Sequence, residues 1–236
     1  MRIALTGNPN SGKTSMYNML TGRSEKVGNW AGVTVDKKES NIKKNYYDIE
    51  EEVIAVDLPG AYSMSPFTSE ESVTSTYVKS ANLDAIINIV DATNLSRSLF
   101  FTTQLMELGV PVVVALNKSD NNEKKDTEIN VELLSQKLGG PVVETISTSN
   151  NNNGLKEVVN KAISLRGKGQ KAPYDQGNVD LGNKEAVKEA DKKRYAFING
   201  IVKEVEKRKV FTKDKNFQDK IDAVLTNRLL GIPILL

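Results

Sequence analysis

The sequence predicts a three-layer α/β fold in which a mostly parallel central sheet is flanked by helices, with a small all-helical domain at its C-terminal end. Three observations carry this. Short apolar segments recur through the first 146 residues, among them Ile3-Ala4-Leu5, Val53-Ile54-Ala55-Val56, Ala85-Ile86-Ile87 and Val112-Val113-Val114. Unbroken apolarity over so few residues marks strands covered on both faces. Three of these segments run into polar clusters, at Gly7 to Thr14, Asp57 to Gly60 and Asn117 to Asp120, and parallel sheets collect ligand-binding residues at such strand ends. Beyond residue 182 the spacing turns helical: Tyr195, Ile198, Val202 and Val205 form one apolar face, and Phe217, Ile221, Val224 and Leu225 a second.

Taken in order, Arg2-Ile3-Ala4-Leu5-Thr6 is the first strand, and Gly7-Asn8-Pro9-Asn10-Ser11-Gly12-Lys13-Thr14 follows it. This run fits G-x-x-x-x-G-K-[ST], the phosphate-binding loop, and Ser15-Met16-Tyr17-Asn18-Met19-Leu20 after it reads as a helix. Strand, glycine loop and helix is the context that turns a pattern match into a site. Backbone N–H groups from Gly7 to Ser15, with the positive end of the helix, would cradle a polyphosphate. Gly7 and Gly12 would let the chain approach closely, Lys13 would reach the β- and γ-oxygens, and Thr14 would offer its hydroxyl to Mg²⁺.

Residues 21–35 hold three glycines and the single tryptophan in a polar stretch, and read as a loop. Small GTPases place their first switch about here, so Thr34 either brings its hydroxyl to Mg²⁺ and its N–H to a γ-phosphate, or simply begins the next strand. Trp30 is either a buried anchor or part of a moving loop. Residues 35–45 and 47–58 read as two β-segments, the first polar as an edge strand often is. The second ends in Asp57-Leu58-Pro59-Gly60, a D-x-x-G in which Asp57 would hold Mg²⁺ through water and the Gly60 N–H would meet the γ-phosphate. A helix is expected over 69–80, with Glu70 and Glu71 in its first turn.

Residues 85–91 form a buried strand, 97–108 a helix stopped by Gly109, and 110–116 another apolar strand ending in Asn117-Lys118-Ser119-Asp120. This N-K-x-D is the guanine signature. The Asp120 carboxylate can accept from both the ring N–H and the exocyclic amine of guanine, whereas adenine would leave that charge unpaired. At roughly 1.5–3 kcal/mol per charge-assisted bond, two such bonds discriminate about 10²- to 10⁴-fold. Asn117 would brace the loop, and the Lys118 stem would cover the base. A short helix over 131–138 and a last strand over 141–146 lead into Ser147-Thr148-Ser149, where a main-chain N–H would meet the guanine oxygen. Residues 150–153 are a polar run, and 155–165 an amphipathic helix.

Residues 167–182 carry Gly, Pro, Lys and Gln without apolar period and are expected to be a linker. The chain closes on Leu229-Leu230-Gly231-Ile232-Pro233-Ile234-Leu235-Leu236 after many Lys and Arg residues. This run is either a tail packed on the body or the first turns of a membrane helix, since excess basic charge before an apolar run marks the cytoplasmic side.

The 236 residues suit one large domain and a smaller one. A net charge of +2 gives no reason to expect nucleic acid as a partner. The chain has no cysteine and no histidine, which excludes disulfides, thiolate chemistry, the common zinc ligand sets, a Ser-His-Asp triad and a histidine base. No Cys/His iron site is expected either. Met1 leads directly into the first strand, so no signal peptide is expected.

With these motifs placed, the chain resembles the cytosolic N-terminal part of FeoB-type bacterial ferrous iron transporters. The resemblance rests on the phosphate loop, on Val27-Gly28-Asn29-Trp30-Ala31-Gly32-Val33-Thr34-Val35, on Asp57-Leu58-Pro59-Gly60-Ala61-Tyr62-Ser63, on Val90-Asp91-Ala92-Thr93-Asn94-Leu95 and on Leu229-Leu230-Gly231-Ile232-Pro233. It implies a Ras-like P-loop GTPase domain over 1–166, a linker over 167–182, a helical spacer over 183–228 and the start of a transmembrane segment over 229–236. It further implies Mg²⁺ and GTP or GDP at the site, a location at the cytoplasmic face of the inner membrane, and the membrane-embedded region of the same polypeptide as partner. A homo-oligomer is compatible with it. Two departures stand out: many members have Asn-Met-x-Asp where Lys118 stands here, and Thr148 replaces a common alanine, which would loosen the guanine contact.

Ras-like enzymes orient the attacking water with a glutamine after the D-x-x-G glycine, and Ala61 occupies that position. Turnover is therefore expected to be slow unless another charge is supplied. In potassium-activated GTPases, which this family resembles, an asparagine at the position of Asn10 helps bind K⁺. Asn10 either does so here or only shapes the loop. With Lys13, Thr34 and Gly60 it completes the expected catalytic set. The alternatives are a nucleotide-switched binding module with negligible hydrolysis, and a soluble GTPase acting on RNA or ribosomes.

Overall fold

The protein is described by a computed structural model over residues 1–22, 26–29, 36–64, 74, 76–78, 82–120, 127–149, 153–177, 179–180 and 183–208. Trp30, Thr34, the expected second C-terminal helix around Phe217 and Ile221, and the closing run 229–236 lie outside the described residues.

The centre is β1 (Arg2–Gly7), which pairs in parallel with β4 (Ile54–Asp57) on one side and β5 (Ala85–Asp91) on the other. Parallel pairing continues through β6 (Val112–Asn117) to β8 (Val142–Thr145). On the other side β4 pairs antiparallel with β3 (Asp36–Asn41), and β3 antiparallel with β2 (Lys26–Asn29). The seven-stranded order is β2-β3-β4-β1-β5-β6-β8.

The apolar runs serve two cores at once because successive side chains leave a strand on opposite faces. In β6, Val112, Val114 and Leu116 enter one core while Val113 and Ala115 enter the other. One layer is formed by α1 (Lys13–Thr21) and α4 (Leu155–Ser164), whose Met16, Leu20, Val158 and Val159 are fully buried. The opposite layer holds α2 (Leu95–Met106), α3 (Val131–Leu138) and α5 (Lys184–Val205). Helices begin and end on the residues suited to it. Asn130 and Asn183 cap α3 and α5 by accepting backbone N–H groups, and Gly22 and Gly139 close α1 and α3 in the left-handed region.

Three features depart from the sequence pattern. Residues 26–29, within the stretch expected as a loop, form β2. An edge strand needs only main-chain bonds on one side and no apolar face, so Lys26-Val27-Gly28-Asn29 gives no alternating signal. The segments expected over 35–45 and 47–58 shorten to β3 and β4, separated by a 3₁₀ turn at Lys44–Tyr46. Finally, α5 runs into β9 (Glu206–Arg208), which pairs antiparallel with β7 (Thr127–Ile129). Three-residue strands are too short to show a period.

The described part of 167–182 contains no helix or strand but is fastened to the body. The Gln170 side chain accepts from Val112 N at 2.7 Å and donates to Val112 O at 3.0 Å. Gln176 N donates to the Glu107 carboxylate at 2.7 Å. Helix α5 sits on α2 through Ile198, Ile201 and Val205, with Tyr195 half-exposed but stacked on Phe100 at 4.5 Å. Among the described residues, no helix is long and apolar enough to cross a membrane.

Candidate functional site

The C-terminal ends of β1, β4, β5, β6 and β8 face the same side, and β1 lies where connections diverge to either side of the sheet, the place at which open α/β sheets bind ligands. A cleft of about 660 Å³ opens there. It is lined by Asn8, Pro9, Asn10, Gly12, Lys13, Thr14 and Ser15 from the loop after β1, by Gly60, by Asn117, Lys118 and Asp120, and by Ile146, Ser147 and Thr148.

Gly12 precedes α1 at φ 98°, in the left-handed region. A Cβ there would overlap Asn117 Nδ2 and lie 3.1 Å from Ser147 Oγ, so only glycine admits the neighbouring loops. Gly7 is equally constrained, since its Cβ would stand 2.5 Å from Ile89 O on β5.

Asn117 is buried and ties three loops together. Its Nδ2 donates to Ser11 O at 2.8 Å and to Ser147 Oγ at 3.0 Å, and its Oδ1 accepts from Ser147 N at 3.0 Å. On the other side of the cleft, the Lys13 ammonium is paired with the Asp57 carboxylate, both side chains being mostly buried. The carboxylate thus already draws a cation to itself. With the Thr14 hydroxyl in the cleft wall, the donors are all hard oxygens, a set that fits Mg²⁺.

Lys118 stands at φ 65°, as does Asn10. Its ammonium donates to Asn10 O at 2.6 Å and to Asp91 Oδ2 at 2.6 Å. Burial opposes ionisation of Asp91, but the Lys118 ammonium and the Thr93 hydroxyl and N–H hold its carboxyl below the ordinary value.

Of the residues expected at the site, Asn8, Pro9, Asn10, Gly12, Lys13, Thr14, Ser15, Gly60, Asn117, Lys118, Asp120, Ser147 and Thr148 line the cleft. Gly7 and Ser11 are buried behind its wall, and Ser149 N bonds Ile146 O at 3.0 Å on the far side of the turn. Asp57 reaches the cleft through Lys13. Sequence reasoning missed two participants, Ile146 in the wall and Asp91 beneath Lys118. The signal for Asp91 was its place as the only charged residue of β5, at the strand's C-terminal end.

The likeness to known proteins is extensive. Residues 1–162 match the family described as Ferrous iron transport protein B. The Fe(2+) transporter FeoB of Salmonella typhimurium is 47% identical over 152 residues, covering 63% of this chain and 19% of that protein. That of Escherichia coli K12 is 46% identical over the same length and coverage. The chain thus spans well under a quarter of the curated relatives it matches. Among solved structures, the cytosolic domain of L. pneumophila FeoB superposes with a TM-score of 0.77 at 28% identity, covering 88% of this chain and 100% of that one. A GDP-bound mutant of the S. thermophilus FeoB G-domain gives 0.72 at 34% identity, with coverage of 88% and 100%. The T. maritima FeoB cytosolic domain in its GMPPNP form gives 0.75 at 25% identity, with coverage of 88% and 99%. A Ras-like G-domain fold, a phosphate loop cradled as above and a family match over its first 162 residues lead to one conclusion: the chain belongs to the FeoB family.

Proposed function

We propose that this chain binds and hydrolyses GTP as the regulatory part of a ferrous iron transporter. The observation that carries this is the convergence of Lys13, Asp57, Asn117, Asp120 and Ser147 from four separate strand ends on one cleft, with GDP and GMPPNP forms among its structural relatives. Residues 1–166 would be the GTPase domain, 183–228 a helical spacer after the strapped segment 167–182, and 229–236 the start of a membrane helix. The partner would be the membrane-embedded region of the same polypeptide at the inner face of the bacterial membrane, with assembly into a homo-oligomer open to it.

Each residue has a task. Asp120 accepts from guanine, and Asn117 holds its loop to the phosphate loop. Lys13 would exchange Asp57 for phosphate oxygens, and Thr14, Asp57 and Thr34, the last read from the sequence alone, would hold Mg²⁺, which would offset the charge of the phosphates. Ala61 is buried, with its N–H on Gly7 O at 3.2 Å, and has no group to orient water. Intrinsic turnover should then be on the order of 10⁻⁴ to 10⁻³ s⁻¹, as in Ras-like enzymes without an activator. Asn10, exposed at the cleft rim with its side chain free of the Lys118 bond, offers an amide oxygen to K⁺, a second cation beside the phosphates.

The test is a titration of nucleotide-stripped protein with GDP, GTP and ATP, followed by phosphate release. Tight binding of the guanine nucleotides alone, with release of phosphate from GTP, is expected. Equal affinity for ATP would overturn the guanine reading, and binding without phosphate release would leave only a nucleotide-switched module.

A further inference from the structure

We propose that Asp91 sets the affinity of this site for guanine nucleotides by positioning Lys118, and so locks the base-binding loop to the phosphate-binding loop. The inference rests on the guanine-nucleotide reading above and concerns a residue to which no motif assigns a role.

The sheet places Asp91 for this task. Strand β5 lies between β1, which leads into the phosphate loop, and β6, which leads into the base loop. Asp91 is the last residue of β5 and stands in register with Asn117 at the end of β6. The residue after Asn117 therefore emerges beside the Asp91 carboxylate.

The two carboxylate oxygens have separate work. Oδ1 accepts from Thr93 N at 2.9 Å and Thr93 Oγ1 at 2.7 Å, which shapes the turn into α2. Oδ2 is given to the Lys118 ammonium at 2.6 Å, with the two side chains 17% and 31% exposed. The same ammonium holds Asn10 O at 2.6 Å. Asn10 and Lys118 are the only non-glycine residues of positive φ among those described, both at 65°. A left-handed backbone is disfavoured for a residue such as Lys118, less so for Asn10, and at Lys118 it persists only where its surroundings hold it. One cation held by one carboxylate thus fastens two left-handed turns to each other, one carrying the phosphate N–H groups and the other carrying Asp120. Without the Asp91 charge the ammonium has only a neutral carbonyl as partner in a half-buried place, and it turns to solvent. Both loops then loosen, and nucleotide leaves faster.

Asp91→Asn separates this role from a structural one, because an amide oxygen can still accept from Thr93 while the negative charge is gone. The experiment measures GDP affinity and dissociation with a fluorescent GDP analogue in the unmodified protein, Asp91→Asn, Asp91→Glu, Lys118→Met and the double variant Asp91→Asn/Lys118→Met. Thermal melts of the nucleotide-stripped forms accompany them. Asp91→Asn should weaken GDP about tenfold through faster release, the scale of one charge-assisted bond. Asp91→Glu should recover part of that loss. In the Lys118→Met background Asp91→Asn should have almost no further effect. An equal loss in both backgrounds, no recovery with Asp91→Glu, or failure of Asp91→Asn to fold would each overturn the proposal and leave Asp91 as a structural residue of the turn. If the unmodified protein fails to prefer GDP over ADP, it is the guanine reading that falls, before any variant is compared.

Discussion

The side-chain amide of Asn117 donates to the main-chain oxygen of Ser11 at 2.8 Å across 106 residues of sequence. It also accepts from Ser147 N at 3.0 Å. One buried side chain thereby sets the spacing of the three loops that wall the cleft. Asn117→Ala would leave Ser11 O and Ser147 N without those partners, at about 2–4 kcal/mol. A lowered denaturation midpoint and at least a tenfold weaker GDP titration are expected together. A variant with normal GDP affinity would show that the loops hold their places without Asn117.

Asp120 lines the cleft two residues beyond Lys118. Asp120→Ala should lower GTP and GDP affinity at least roughly tenfold, since two charge-assisted bonds to guanine are lost. Calorimetric titration with GDP and with xanthosine diphosphate, whose ring oxygen cannot donate to a carboxylate, measures the same contact from the ligand's side.

Arg194 on α5 is 2% exposed and reaches Glu107 at 2.7 Å and Thr103 Oγ1 at 3.1 Å, with its guanidinium 4.8 Å from the Tyr174 ring centroid. It fastens the C-terminal helix and the strapped segment to α2 in one place. Arg194→Met should cost about 2 kcal/mol, below the value for a wholly buried pair because Glu107 can turn to water. Chemical denaturation measures this loss, while GDP affinity should stay within about twofold. An unchanged midpoint would mean that the apolar face of Ile198, Ile201 and Val205 suffices.

Burial raises the Asp191 carboxyl above its ordinary value, with Arg194 opposing only in part. A raised carboxylate disfavours folding once it ionises, so its cost appears as pH rises through the folded value and is absent below the unfolded one. Asp191→Asn should therefore stabilise the protein at about pH 7 and not at about pH 3, below the unfolded value. Denaturant midpoints at the two pH values decide it; an equal gain at both would point to packing rather than charge.

The parts of this fold that were legible in the sequence are those with a physical reason to repeat. Strands β1, β5 and β6 are covered on both faces, so their central residues, such as Ile3-Ala4-Leu5, Ala85-Ile86-Ile87 and Val112-Val113-Val114, are apolar. The loops at their ends carry chemistry that demands Gly12, Lys13, Asn117 and Asp120 at fixed spacing. Strand β2 was illegible because Lys26-Val27-Gly28-Asn29, with a single apolar side chain, serves a sheet edge through main-chain bonds. The fastening of 167–182 was hidden for a related reason: Gln170 mimics a strand partner with its side chain, and no hydrophobic period records that. Asp91 was legible only as part of the Val90 to Leu95 segment that carries the resemblance; its sequence neighbours suggest no task for it, and only the strand order brings it to Lys118.

The most direct test of the central proposal, a guanine-nucleotide site that hydrolyses GTP with a second cation's help, is GTP turnover by the same protein in sodium and then in potassium buffer, with Asn10→Ala beside it. Turnover should rise in potassium, and Asn10→Ala should lose that rise while still binding GDP, because the ion acts on charge developed in the transition state. Equal rates in the two buffers for the unmodified protein would contradict it.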